Sequence, residues 1–141
     1  MAFKAGKDTY LGLDNAAGAV QNISAFADSA KLPIKVEMLD VSSFGSSVKR
    51  FIPALVDGGA LDISGALDST LHSQIAGMLS AQAAGTAGFS MLYGPGGSVT
   101  GLVKQTAEVY VASYEVSSSV SGRSEFSASL QVDGAVTNGT W

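Results

Sequence analysis

Strict two-residue alternation constrains this chain more than any other feature of its sequence. Glu125 to Val132 sets Phe126, Ala128, Leu130 and Val132 against Glu125, Ser127, Ser129 and Gln131. That is the period of a strand with one dry face and one neutral, hydroxyl-rich wet face. Ala60 to Leu67 repeats it, with Leu61, Ile63 and Leu67 inward and Asp62, Ser64 and Ala66 outward. Lys31 to Met38 does so again, placing Leu32, Ile34, Val36 and Met38 opposite Lys31, Pro33, Lys35 and Glu37. Pro33 has no N–H for a ladder, so this strand is expected at a sheet edge or with that nitrogen outside the bonding pattern.

Shorter strands are expected at Thr9 to Leu13, closed by the turn "DNAAG", and at Val20 to Phe26. Gly88 to Tyr93 runs into the turn "GPGG", and Gln105 to Ser117 is rich in β-branched and aromatic residues. A single helix interrupts them. Asp68 can accept from the free amides of a first turn, and Ser69 to about Ala83 sets Leu71, Ile75, Met78, Leu79 and Ala83 on one stripe. The expected fold is mainly β, an antiparallel β-sandwich or open barrel with one flanking α-helix.

The 141 residues are enough for one domain with a real core, read as 1–141. Only 14% are charged, against about 25% in an average soluble domain. Either the surface is unusually rich in Ser, Thr and Gly, or copies of the chain cover it. The formal net charge of −4 argues against a protein that grips phosphates. With no cysteine there are no disulfides or thiolate metal sites, and a reducing compartment is the simpler expectation. The basic start, Met1 to Lys7, is followed by no apolar stretch of the signal-peptide kind, and no clean ~20-residue apolar run suggests a membrane span.

Enzyme chemistry finds little to work with. His72 is the only histidine, lies on the expected polar side of the helix, and has no G-x-S-x-G elbow to serve. "GGSVTGLV", Gly96 to Val103, has P-loop glycine spacing but Leu102 in place of the lysine. The acidic residues are scattered singly without a calcium-loop register, and the four tyrosines lack an accompanying basic track. No catalytic, cofactor-binding or metal site is assigned.

One stretch resists this account. "DVSSFGSSVKRFIPALVDGG", Asp40 to Gly59, reads as a long inter-strand loop with no period of its own. It carries the only adjacent basic pair, Lys49 and Arg50, among the apolar Phe44, Phe51, Ile52, Pro53 and Leu55. Connections beyond ~12–15 residues are uncommon and tend to be functional. Exposed apolar area of this kind calls for a cover, and a second copy of the chain fits the low surface charge.

The run from Leu39 to Asp68 resembles a segment of the major tail tube proteins of long-tailed bacteriophages, in which a short "LDVT-F" phrase precedes an "R-FIPGL-DG" loop. Asp40, Val41, Phe44, Arg50, Phe51, Ile52, Pro53, Leu55, Asp57 and Gly58 match that phrase. "SYEVSSSVSGRSEFSASLQVDGAVTNGTW" is similar to the family's final hairpin and "LGLDNAAGAVQNIS" to its opening one, in the expected order. The Ala/Gly-rich stretch from Ser80 to Gly101 departs from the pattern.

The resemblance implies a structural virion protein of the tail tube fold type, with no cofactor. Its rings, hexameric in that family, stack into a tube for DNA passage during ejection. It further implies assembly in the host cytoplasm, and tape measure, tail tip and tail terminator proteins as partners beside the chain itself. DNA would pass without specific binding, and no membrane is involved. The loop would then reach the neighbouring ring, with Phe44, Phe51, Ile52, Pro53 and Leu55 as apolar contacts and Lys49 and Arg50 facing acidic residues there. Asp62, Ser64, Ser127, Ser129 and Gln131 are the candidates for the lumen. Two other readings stand beside this one: a tube of a contractile tail or secretion system, and a small ligand-binding β-barrel.

Overall fold

A computed structural model describes residues 5–85 and 88–141; the basic start through residue 4 and residues 86–87 of the Ala/Gly-rich stretch lie outside the described residues. After a short 3₁₀ turn at Gly6–Asp8, the elements in chain order are β1 (Tyr10–Asp14), β2 (Val20–Asn22), β3 (Ser29–Lys31), β4 (Lys35–Asp40), β5 (Phe51–Asp57) and β6 (Ala60–Ala66). There follow α1 (Ser69–Ala83), β7 (Phe89–Gly94), β8 (Val103–Ser117) and β9 (Glu125–Thr140). Seven strands form one antiparallel sheet in the order β2-β1-β7-β8-β9-β6-β3, while β4 and β5 pair only with each other.

Alternation sorts this sheet into two faces. On one, Leu61 and Ile63 of β6, Phe126, Ala128 and Leu130 of β9, Val109 and Val111 of β8 and Met91 of β7 are buried. Helix α1 closes that face with Leu71, Ile75 and Met78, which repeat at helical spacing. Its start is fixed as expected: Asp68 accepts from the Thr70 amide at 2.8 Å. The stripe is narrower than expected, because Leu79 is 38% exposed and Ala83 is exposed. The chain from Ile23 to Ala27 crosses beneath the core and brings the two ends of the sheet near one another. Leu11 and Tyr93 line one side of a cleft of about 590 Å³, and Ala27 and Ala30 line the other. The architecture is an open barrel with one helix over its core.

Three expectations need correction. Lys31 to Met38 is not one strand: the chain leaves the ladder at Leu32–Ile34, and β3 and β4 belong to different sheets. Pro33 is the physical reason, since it cannot donate to the ladder that β3 would otherwise continue. The expected second strand ends at Asn22, after which Ile23 turns into the core. The stretch from Asp40 to Gly59 is not a loop throughout, because Phe51–Asp57 is a strand and only residues 41–50 connect it to β4. Its lack of period has a cause: the register shifts between Val36 and Met38, where two residues of β5 oppose one of β4.

The paired strands β4 and β5 form an arm with a stiff root. Gly59 has φ +68°, and a Cβ there would lie 2.6 Å from the Pro33 carbonyl oxygen. Its amide donates to Asp57 Oδ1 at 2.8 Å, and its carbonyl accepts from the Val132 amide at 3.0 Å and Gln131 Nε2 at 2.9 Å. At the far end of the sheet, Trp141 stands edge-on to Tyr10 at 5.1 Å with Lys104 Nζ 4.7 Å from its ring, fastening the end of β9 to β1 and β8.

Candidate functional site

Two surfaces of this fold stand out, and the first is the arm. Of the seventeen large apolar residues exposed among the described ones, eleven lie between Ile34 and Val56. That concentration sets the segment apart, since apolar residues scattered singly are ordinary. Phe44 at the tip is fully exposed, Leu55 is 81% exposed, and Phe51 and Ile52 are each about half exposed. The structure brings Phe44, Lys49, Arg50, Phe51, Ile52, Pro53 and Leu55 together on this one projection, with Pro53 opposite Met38. Lys49 and Arg50 are exposed and make no ion pair among the described residues.

The tip is ordered by its own polar groups. Asp40 Oδ1 accepts from the Ser42 amide at 2.8 Å, Ser42 Oγ accepts from the Arg50 amide at 2.8 Å, and the Val41 amide donates to the Arg50 carbonyl at 2.9 Å. Ser43 and Ser46 close the turn beyond, with the Ser46 amide 2.9 Å from the Ser43 carbonyl. Bonds from Ser42 hold the Asp40 carboxyl below its ordinary value of 3.8. These bonds present Phe44 at the end of a defined turn.

The second surface is the wet face of the seven-stranded sheet. Asp62 pairs with Ser129, Ser64 with Ser127, and Ala60 with Gln131, so the five residues singled out in the sequence share one patch. Lys31 and Ser29 of β3 extend these rows on one side, and Ser113, Glu115 and Tyr110 of β8 extend them on the other. Glu108 faces Asp133 across β8 and β9 and accepts from Ser90 Oγ at 2.8 Å. Sequence reading missed Glu108, Glu115 and Asp133 as members of this face. The signal was present in the alternation of "AEVYVASYEVS" and became readable only once the register joined β8 to β9.

The rest of the surface offers less chemistry. His72 Nδ1 lies 3.0 Å from the hydroxyl of Tyr114, whose phenol is pushed upward by partial burial. Arg123 bridges Asp28 and Glu125, and bonds first to Asp28 and then to Glu125 raise its guanidinium further. Among the described residues no group of three or more His, Cys, Asp and Glu could hold a metal ion, and no helix is long and apolar enough to cross a membrane. The cleft has a single aromatic, Tyr93, beside Thr9, Ser24, Ser29, Lys7 and Asp28.

No protein-family model matches the chain, and no curated protein matches it in sequence. Solved structures do match, over nearly its whole length. The tail of an empty gene transfer agent particle, refined with C6 symmetry, aligns with a TM-score of 0.78 at 14% identity, covering 98% of this chain and 100% of that one. The chain has the tail tube fold. The SPP1 tail tube aligns at 0.70 with 16% identity, covering 99% and 80%. The tube-terminating cap of the anti-feeding prophage aligns at 0.71 with 12% identity, covering 100% and 93%. The tail tube fold foreseen from the order of motifs is therefore the fold observed.

The turn at the arm's tip has a pH signature. Because the folded carboxyl of Asp40 titrates below 3.8, its bond to the Ser42 amide is present above that value and lost as pH falls through the lower, folded one. A carboxyl-detected NMR titration of the unassembled chain is expected to place Asp40 below 3.8. A midpoint at or above 3.8 contradicts the capped turn.

Proposed function

We propose that this chain is the repeating subunit of a phage tail tube, a structural virion protein whose copies close into rings and stack. The observation that carries the reading is the arm: eleven exposed large apolar residues on a projection that the body leaves uncovered. Burial of apolar area contributes about 25 cal/mol per Å², so a copy that covers the arm gains what the monomer cannot. A contact between the arm and a different surface on the next copy is heterologous, which generates an open filament of stacked rings. The C6 symmetry of the gene transfer agent tail supports six copies per ring. Sheet edges at β2 and β3, each only three residues long, are the places where neighbours in a ring would meet.

In this reading the wet sheet face lines the channel. It carries Asp62, Glu108, Glu115 and Asp133 against Lys31, and Glu125 paired with Arg123, with Ser64, Ser127, Ser129 and Gln131 between them. Such a surface repels phosphates and lets DNA slide. Tape measure, tail tip and tail terminator proteins at the tube's ends, and assembly in the host cytoplasm before incorporation in the virion tail, belong to the same proposal. A second reading, the tube of a contractile tail or secretion system, draws support from the anti-feeding prophage cap, whose TM-score of 0.71 is level with the SPP1 tube's 0.70.

Two tests follow from these surfaces. The double variant Phe51→Ala, Arg50→Glu is expected to stay folded by circular dichroism yet remain in the supernatant when the unmodified chain sediments as polymer. Polymer at the unmodified level would remove the arm from the contact. The chain has no cysteine, so Ser129→Cys creates a unique thiol on the wet face. In assembled tubes it is expected to react with a small maleimide but not with one coupled to a large protein carrier. Equal labelling by both reagents would place that face outside the channel.

A further inference from the structure

We infer that the wet face binds a divalent cation where β1, β7 and β8 meet, with Asp14, Ser90 and Glu108 as the protein's ligands. The inference concerns the single chain and stands apart from the tube reading. Register draws one row across four strands. Asp14 ends β1 one step beyond the Leu13–Met91 pair, which sets it beside Ser90. Ser90 pairs with Glu108, and Glu108 with Asp133. Leu13, Met91, Val109 and Val132 turn into the core, so by alternation the four members of the row share the opposite face.

Asp14 is the anomaly in that row. It is the one polar or charged residue buried among those described, at 8% exposure. Its carboxyl is turned toward β7, where Oδ2 accepts from the Ser90 amide at 2.9 Å. Oδ1 is buried and has no hydrogen-bond partner among the described residues. A carboxylate oxygen in that position is strongly unfavourable unless a donor or a positive charge meets it. The strands of the row supply no such charge. β1, β2, β7 and β9 contain no lysine or arginine, and the one lysine of β8, Lys104, stands over the Trp141 ring. Glu108 and Asp133 deepen the deficit, because like charges directly opposite on a ladder are destabilising.

The donors suit a hard cation. Ser90 Oγ donates its hydrogen to Glu108 Oε1 at 2.8 Å, which leaves the lone pairs of that hydroxyl free to coordinate. Two carboxylates and a hydroxyl form an all-oxygen, irregular set. Ca²⁺ accepts such a set and completes its shell with water, whereas Mg²⁺ demands near-ideal octahedral geometry. Asp133 is exposed and contributes charge rather than a bond. So few protein ligands give weak binding, with a Kd of about 10⁻⁴–10⁻³ M. Held there, the cation ties three strands together and offsets the repulsion along the row.

Thermal unfolding of the unassembled chain, stripped with EDTA and then given calcium chloride at roughly tenfold the upper Kd, tests the site. Calcium is expected to raise Tm by about 3–5 °C, and sodium chloride at matched ionic strength to leave it unchanged. Glu108→Gln removes an exposed ligand, so the chain still folds, and is expected to lose the calcium shift. Asp14→Asn should lose it too; if that variant does not fold, Glu108→Gln decides alone. Glu115→Gln, on the same face but outside the row, should keep the full shift. The site is overturned if calcium leaves the unmodified chain unchanged, if sodium matches calcium, or if Glu108→Gln and Glu115→Gln respond alike.

Discussion

An apolar hairpin in water has no reason to stay where its own body leaves it, and the arm of this protein is such a hairpin. Two strands alone are marginally stable. Here β4 and β5 have apolar side chains on both faces, a fully exposed Phe44 at the tip, and contact with the body near the root. What the monomer supplies is stiffness. Gly59, Asp57 and the Val132 amide fix the base, while Asp40 and Ser42 fix the turn. A projection held rigid at both ends loses little entropy on docking, which is how preorganisation raises affinity.

The seven-stranded sheet solves the complementary problem. One face is filled by Leu61, Ile63, Phe126 and Leu130 and closed by α1, so the body needs no partner to hold its core. The other face is free to be polar, and its residues are serines, a glutamine and carboxylates in register across β3, β6, β9 and β8. Division of labour follows from topology. On the proposed function the sheet's wet face would line a channel, and the arm would meet other copies. The low charge content agrees with both roles, because much of the apolar exterior is concentrated where a neighbour would cover it.

Where the alternation ran uninterrupted, the fold could be read before the structure. β6 and the first half of β9 keep strict period two, and the Asp68 cap with Leu71, Ile75 and Met78 behaves as its spacing suggests. Interruptions hid the rest. Pro33 split one expected strand into two that serve different sheets, and a bulge opposite Glu37 erased the period of β5. The continuation of β9 to Thr140 was masked where Gly134, at φ +85°, lies in the register shift opposite Ala107. Leu79 and Ala83 fit the helical stripe in sequence but stay exposed, because only a narrow band of α1 meets the core. The arm residues fall together on one projection, and the lumen candidates fall together on one sheet face. That the former stand on a hairpin, and that carboxylates of β8 join the latter, needed the register.

On the proposed function, copies of this chain assemble into stacked rings around an open channel. Electron microscopy of the concentrated, unmodified protein tests it most directly. Tubes with a regular axial repeat and end views of closed rings are expected, six-fold in keeping with the gene transfer agent tail of the same fold. Monodisperse 14.2 kDa particles at every concentration would contradict it.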